Sequence, residues 1–199
     1  MTRLVKLINQ GDYREAIFEA YSGKYSDNDF GPSVRASGKP SDTIGGRTVM
    51  GPEYNVQRAV NSLARVDSKF APWLLWCYTE HDNNNHAMAL QGLALDALIS
   101  HMKDIGFAEI KDWRAAGKGF KLLGGMMENH REQHRNGRQL YPLDHMAVSM
   151  GYKSPSSLCG NTPWGRVRAS FERGLNLLDS DAINALMQTL EGYRVRVAA

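Results

Sequence analysis

The sequence predicts an all-α protein, because apolar side chains recur at helical spacing along most of the chain and strand-like alternation is scarce. Pro52 opens a stretch with apolar positions at Val56, Ala59, Val60, Leu63 and Val66. In the next stretch, residues 70–78, large side chains occupy both faces, which is typical of a buried helix. At 199 residues, 42% of them hydrophobic, the chain can bury a core in one large domain or two small ones.

Glycine and proline punctuation divides the chain into four predicted parts. These are an N-terminal helix over 1–22, an extended flexible segment over 23–51, a helical body over 52–130, and a helix-turn-helix-like region with a C-terminal helix over 131–199. Gly11-Asp12 is the expected break in the first part. The second part contains repeated Gly and Pro and few large aliphatic residues, so it predicts no core-forming element. Further helices are expected over 86–104, 110–135 and 180–193, with Asp179 and Asp181 capping the last.

The stretch from Leu140 to Leu178 has the plan of a helix-turn-helix DNA-binding unit. One helix begins near Pro142 and ends at Gly151, a left-handed cap position, and Thr162-Pro163 begins the second. The apolar positions are Leu143, Met146, Ala147 and Met150 on the first helix and Val167, Phe171, Leu175 and Leu178 on the second. Because Gly160 delays the second helix, Ser156–Cys159 is expected to be an inserted turn.

Positive charge is concentrated in the same part of the chain. The net charge is +3, but residues 1–100 contain 10 Lys and Arg against 11 Asp and Glu, whereas residues 111–173 contain 11 against 5. Such asymmetry favours a nucleic-acid partner over a membrane surface. A solvated basic face without any partner remains the alternative.

The candidate DNA-binding residues fall into two groups. Arg131, Arg135 and Arg138 are spaced as one helical stripe that could grip phosphates. The second group could contact DNA from the turn and from the basic second helix, in part at base edges. It consists of Lys153, Ser154, Ser156, Asn161, Arg166, Arg168 and Arg173. The sequence therefore predicts double-stranded DNA as a partner.

No pattern favours an enzyme, a cofactor or a metal site. His130 and His134 share a helix face but lack the glutamate of a zinc protease motif, so they are interpreted as exposed polar residues. Cys77, four residues before His81, lies in an apolar run where a thiol behaves as a small hydrophobe. The two cysteines are far apart, which suits a reducing cytoplasm. The start has no signal-peptide core, and no apolar run reaches the roughly 18 residues of a membrane span.

Several stretches together resemble a phage-encoded Q-type late-gene transcription antitermination protein. They are Asn55–Leu63, Trp73–Tyr78, Asn136–Tyr141 and Met146–Tyr152. Several Q-type proteins have a cysteine-rich zinc module, which this sequence lacks, so the resemblance is to the branch without zinc.

The resemblance implies a function in transcription within the bacterial host cell. Q-type proteins are not enzymes: they bind DNA in a late promoter, load onto RNA polymerase paused with its sigma factor, and promote readthrough of terminators. By this resemblance residues 131–173 bind the promoter, the helical block contacts polymerase or sigma, and residues 23–51 become ordered on polymerase. The alternatives are a conventional helix-turn-helix repressor or activator, a helical nuclease, or an adaptor protein.

Overall fold

The computed structural model describes residues 3–22, 43–44, 47–48, 52–79 and 117–198. The helices are α1 (Arg3–Gln10), α2 (Tyr13–Tyr21), α3 (Pro52–Ser62), α4 (Phe70–Tyr78), α5 (Lys118–Asn136), α6 (Leu143–Ser149) and α7 (Pro163–Ala198), with 3-10 turns at Leu63–Arg65 and Pro155–Leu158. The described residues thus have the predicted all-α character. The helix expected over 86–104 and the start of the one expected over 110–135 lie outside these ranges.

Two short paired strands lie within the segment that was predicted to be extended. Strand β1 (Thr43–Ile44) pairs antiparallel with β2 (Arg47–Thr48), placing Thr43 opposite Thr48. The other residues of that segment lie outside the described ranges. The sequence did not predict this pairing, because two-residue strands are too short to show a periodic pattern.

The chain divides into two compact units. One combines Met1–Asp82 with Ser180–Ala199, and the other is Asn83–Asp179. These boundaries cut the chain at other places than the four-part division predicted from sequence. That division followed glycine and proline punctuation and stays a prediction.

The first unit begins with a helical hairpin whose break is local. Gly11 has φ +79°, a conformation that favours glycine, and the Asp12 carboxylate accepts a hydrogen bond from the Glu15 amide at 3.3 Å. The Arg3 guanidinium then reaches across to Glu15 at 2.7 Å. The predicted break at Gly11-Asp12 is therefore confirmed, and its cause is a left-handed glycine followed by a helix cap.

The core of the first unit forms around α4. Trp73 is fully buried and Trp76 is 3% exposed, with ring centroids 5.7 Å apart. Gln57 on α3 is also buried, and its Nε2 donates to the Ala20 carbonyl at 2.8 Å, tying α3 to the end of α2. These contacts confirm the interpretation of residues 70–78 as a buried helix. Val66 is 66% exposed, because the α3 helix ends in a 3-10 turn before that position.

Helix α7 is longer than predicted and corrects two expectations. The second helix of the DNA-binding unit and the C-terminal helix are one continuous helix, Pro163–Ala198. Asp179 and Asp181 therefore lie inside a helix and do not cap one; Asp179 is 2% exposed. The physical reason is that neither Gly nor Pro interrupts residues 175–191. Over the residues described, no helix is both long enough and apolar enough to cross a membrane.

In the second unit, the glycines Gly117, Gly119, Gly124 and Gly125 predict a break or a close helix contact, and the structure has one of each. The break is at Gly117, which has φ +62° and lies directly before α5. Gly125 instead allows a close helix contact, because a Cβ built there would lie 3.1 Å from the Met146 sulfur. Helix α5 ends at Gly137, another left-handed residue with φ +67°.

Two glycines on α7 give a matched stability test. A Cβ on Gly165 would lie 2.5 Å from the Gly160 carbonyl oxygen, whereas one on Gly192 would meet nothing within 4 Å. We expect Gly165→Ala to lower the free energy of unfolding by about 1–3 kcal/mol, since backbone atoms must shift. We expect Gly192→Ala to raise it by up to about 1 kcal/mol, since Ala favours helix. Urea unfolding measures both, and a Gly165→Ala protein as stable as wild type would contradict this contact.

Candidate nucleic-acid interface

Helix α6 ends in a Schellman motif centred on Gly151. Gly151 has φ +84°, its amide donates to the Val148 carbonyl at 2.9 Å, and the Tyr152 amide donates to the Ala147 carbonyl at 2.9 Å. Ala147 is fully buried, so the small residue lies where the predicted unit needs close packing. The left-handed cap predicted at Gly151 is therefore present.

The chain from Tyr152 to Thr162, which we term the turn segment, contains the inserted turn that the sequence predicted. The Ser154 hydroxyl accepts a hydrogen bond from the Ser156 amide at 3.3 Å and begins the 3-10 turn Pro155–Leu158. Leu158 is fully buried and anchors this turn in the second unit. The buried side chain of Leu158 packs the turn segment against the rest of the second unit, while most polar residues around it are exposed.

The first turn of α7 docks on the turn segment through backbone groups. The Thr162 hydroxyl oxygen accepts from the Gly165 amide at 3.0 Å and lies 2.8 Å from the Ser157 carbonyl. Gly165 permits the approach, since any side chain there would meet the carbonyl of Gly160. Thr162-Pro163 is thus the helix start that the sequence predicted, with Thr162 as its cap.

This packing leaves most of the predicted base-contacting residues at the surface. The exposed ones are Lys153, Ser154, Ser156, Asn161 and Arg166. They come from the turn segment and the first turn of α7, which together form a polar, basic surface. Arg173 is also exposed, about two turns further along α7, and Arg135 on α5 is partly exposed. Contact of these residues with DNA stays a prediction.

Two lysines that the sequence analysis missed lie beside the same turn. Lys121 donates to the carbonyl of Ser149, in the last turn of α6, at 3.0 Å, where a cation also meets the negative end of the helix dipole. Lys118 lies 4.6 Å from the centroid of the Tyr152 ring. Because Lys153 follows Tyr152 directly, three positive charges flank the end of α6. No local pattern could identify this set, since α5 and the turn are about 30 residues apart in sequence.

The predicted arginine stripe is corrected at two of its members. Arg131 is only 6% exposed, so it lies too deep to grip a phosphate. Arg138 lies beyond the end of α5, because the left-handed Gly137 turns the chain away from the helix axis. Its Nε is 3.2 Å from the Glu132 carboxylate. Residues 131, 135 and 138 therefore do not form one exposed stripe.

Arg168, predicted as a candidate for base contact, makes a structural hydrogen bond within the second unit. Its Nε donates to the Leu158 carbonyl at 3.0 Å, and its Nη1 lies 3.9 Å from Glu172 one turn further along α7. The side chain is about a third exposed. Arg168 thereby ties α7 to the inserted turn through Nε, and contact of its Nη groups with a base edge stays a prediction.

A cavity of about 470 Å³ lies within the second unit, between α5, the chain around α6, and α7. Its lining residues are Met126, Asn129, His130, Gln133, His134, Gln139, Leu143, Met146, Arg168, Glu172, Leu175 and Asn176. The rings of His130 and His134 meet edge-on at 4.5 Å. The side chain of His130 is 10% exposed and its Nε2 lies 3.9 Å from Asp179, so the interpretation as an exposed pair fits His134 alone.

The Glu132 carboxylate gives a test of the network at the end of α5. The hydrogen bonds donated by Asn136, at 2.9 Å, and by Arg138 lower the pKa of Glu132. We expect the pKa of Glu132 to rise towards its ordinary value in Asn136→Ala and in Arg138→Gln, and to rise less in Arg135→Gln. Carboxyl ¹³C chemical shifts followed against pH measure it. An unchanged pKa in Arg138→Gln would show that Arg138 does not donate to Glu132 in solution.

Comparison with protein-family models, curated proteins and solved structures finds no match to this chain. No relative therefore supplies a function or a set of site residues.

Proposed function

We propose that this chain is a sequence-specific DNA-binding transcription factor that acts as an antiterminator. The observation that supports DNA binding is the Schellman-capped pair α6 and α7, which presents an exposed polar turn segment flanked by Lys118, Lys121 and Lys153. A glycine-hinged helical pair with surrounding cations is the arrangement by which such units enter the major groove.

The two kinds of side chain on this surface have different roles in the proposal. Lysine ammonium groups neutralise phosphates, which supplies affinity that weakens with salt but carries no sequence information. Arg166 and Asn161 are the groups best suited to base edges, since Arg binds guanine and Asn binds adenine through two hydrogen bonds. Both are exposed, so a duplex can reach them without unfolding the unit.

The step from DNA binding to antitermination rests on the resemblance of this sequence to Q-type proteins. In that proposal the first unit contacts RNA polymerase or its sigma factor. Trp73–Tyr78 is largely buried, so the contact surface is the exposed side of α3 and of the 3-10 turn that follows it. Val66, with 66% of its surface exposed beside exposed Arg65, is the best candidate for an apolar anchor there.

A conventional repressor or activator is the second candidate, because it would use the same DNA-binding surface. It differs in its effect on polymerase. An antiterminator changes elongation after the promoter has been left, whereas a repressor or activator acts only on initiation. The two candidates therefore make the same prediction for DNA binding and opposite predictions for terminator readthrough.

DNA binding is tested by a salt series on a labelled promoter library. We expect Lys153→Gln to weaken binding to all sequences and to reduce the slope of log K against log salt by about 1, as for the loss of one phosphate contact. We expect Arg166→Ala to cost about 1–3 kcal/mol on the preferred site and to relax the choice of base. Lys6→Gln, an equal charge change on α1, is the control. Equal effects of Lys6→Gln and Lys153→Gln, or no preferred site, would contradict the proposed surface.

Antitermination is tested by transcription with purified polymerase through a terminator downstream of the preferred site. We expect the wild-type protein to raise readthrough severalfold. Val66→Asp should lose readthrough while binding DNA normally, because the charge removes an apolar anchor from the polymerase-facing surface. Arg166→Ala should lose both activities. DNA binding with no effect on readthrough would favour the repressor or activator instead.

A further inference from the structure

The cavity of the second unit is a ligand site that the proposed function does not use. Its volume, about 470 Å³, lies in the range typical of small-molecule sites. We propose that it binds a free α-amino acid with a large apolar side chain, in its zwitterionic form. The proposal is independent of DNA binding and concerns only the residues between α5, the chain around α6, and α7.

The charges around the cavity select a zwitterion over an anion. Among its described lining residues the formal charges are those of Arg168 and Glu172, which sum to zero. Their charged groups are 3.9 Å apart, a loose pair in which each group retains capacity for another partner. The α-carboxylate of an amino acid would join the Nη groups of Arg168, and its ammonium would join Glu172. A nucleotide phosphate carries no ammonium to pair with Glu172, so its repulsion by that carboxylate would not be offset.

The apolar part of the lining suits a large aliphatic or aromatic side chain. It consists of Met126, Leu143, Met146 and Leu175. Met126 and Met146 come from different elements, and flexible thioethers adapt to an inserted group and make favourable contacts with aromatic rings. These apolar residues and the charged pair line the same cavity. An amino acid with a charged end and an apolar side chain needs both kinds of group.

Carboxamide side chains make up much of the polar lining of the cavity. Gln133, Gln139 and Asn176 are exposed, and each offers both a donor and an acceptor to the ammonium and carboxylate. Asn129 is already engaged, since it exchanges two hydrogen bonds with the Tyr141 backbone at 2.8 and 2.7 Å. These two hydrogen bonds connect α5 to the chain just before α6, which is one of the three segments that line the cavity.

The experiment is calorimetric titration of the full chain with L-tryptophan, L-phenylalanine, L-leucine and L-methionine. We expect at least one of them to bind with one-to-one stoichiometry. N-acetyl-tryptophanamide, which has the side chain but neither charge, should bind at least about tenfold more weakly, as expected from the loss of about 1.4 kcal/mol or more of ionic interaction. Adenosine monophosphate should not bind.

Two Glu→Gln variants on α7 locate the site. Glu172→Gln should weaken the binding of the best amino acid by about tenfold, because the ammonium loses its charged partner. Glu191→Gln, the same change away from the cavity lining, should leave binding unchanged. Circular dichroism checks that both variants are folded. The proposal is overturned if no amino acid binds, if the capped compound or the nucleotide binds as well, or if the two variants behave alike.

Discussion

The close approach of α7 to the backbone of the turn segment is the contact on which the second unit depends. Gly165 lies so near the carbonyls of Cys159 and Gly160 that a methyl group could not be added without moving backbone atoms. The Thr162 cap and the Arg168 hydrogen bond to Leu158 reinforce the same contact on either side. Each of these interactions is directional, so together they define where α7 begins and how the turn segment is held.

That contact determines which side chains reach solvent. With Leu158 buried and Arg168 tied to its carbonyl, the remaining polar residues of the turn segment face outward. The lysines of α5 then lie beside them, because the last turn of α6 and Tyr152 lie against Lys121 and Lys118. The cavity depends on the same placement of α7, because Arg168 on α7 and Met146 on α6 both line it.

Positive charge in the sequence therefore had three different structural outcomes. Lys153 and Arg166 are exposed and remain the strongest candidates for DNA contact. Arg138 is 69% exposed and paired with Glu132, and Arg131 is buried. A count of basic residues between 111 and 173 could not separate these outcomes, because a buried arginine and an exposed arginine look the same in a one-dimensional pattern. The concentration of charge is real, but fewer residues serve the proposed interface than the count suggested.

The sequence by itself determined the all-α character and the local boundaries at Gly11-Asp12, Gly151 and Thr162-Pro163. These depend on caps and left-handed glycines, whose hydrogen bonds span only three to five residues. Only the tertiary structure decided that Arg131 is buried and that Lys118 and Lys121 flank the turn. The reason is that burial and charge pairing depend on residues far apart in the chain, which helical periodicity does not specify.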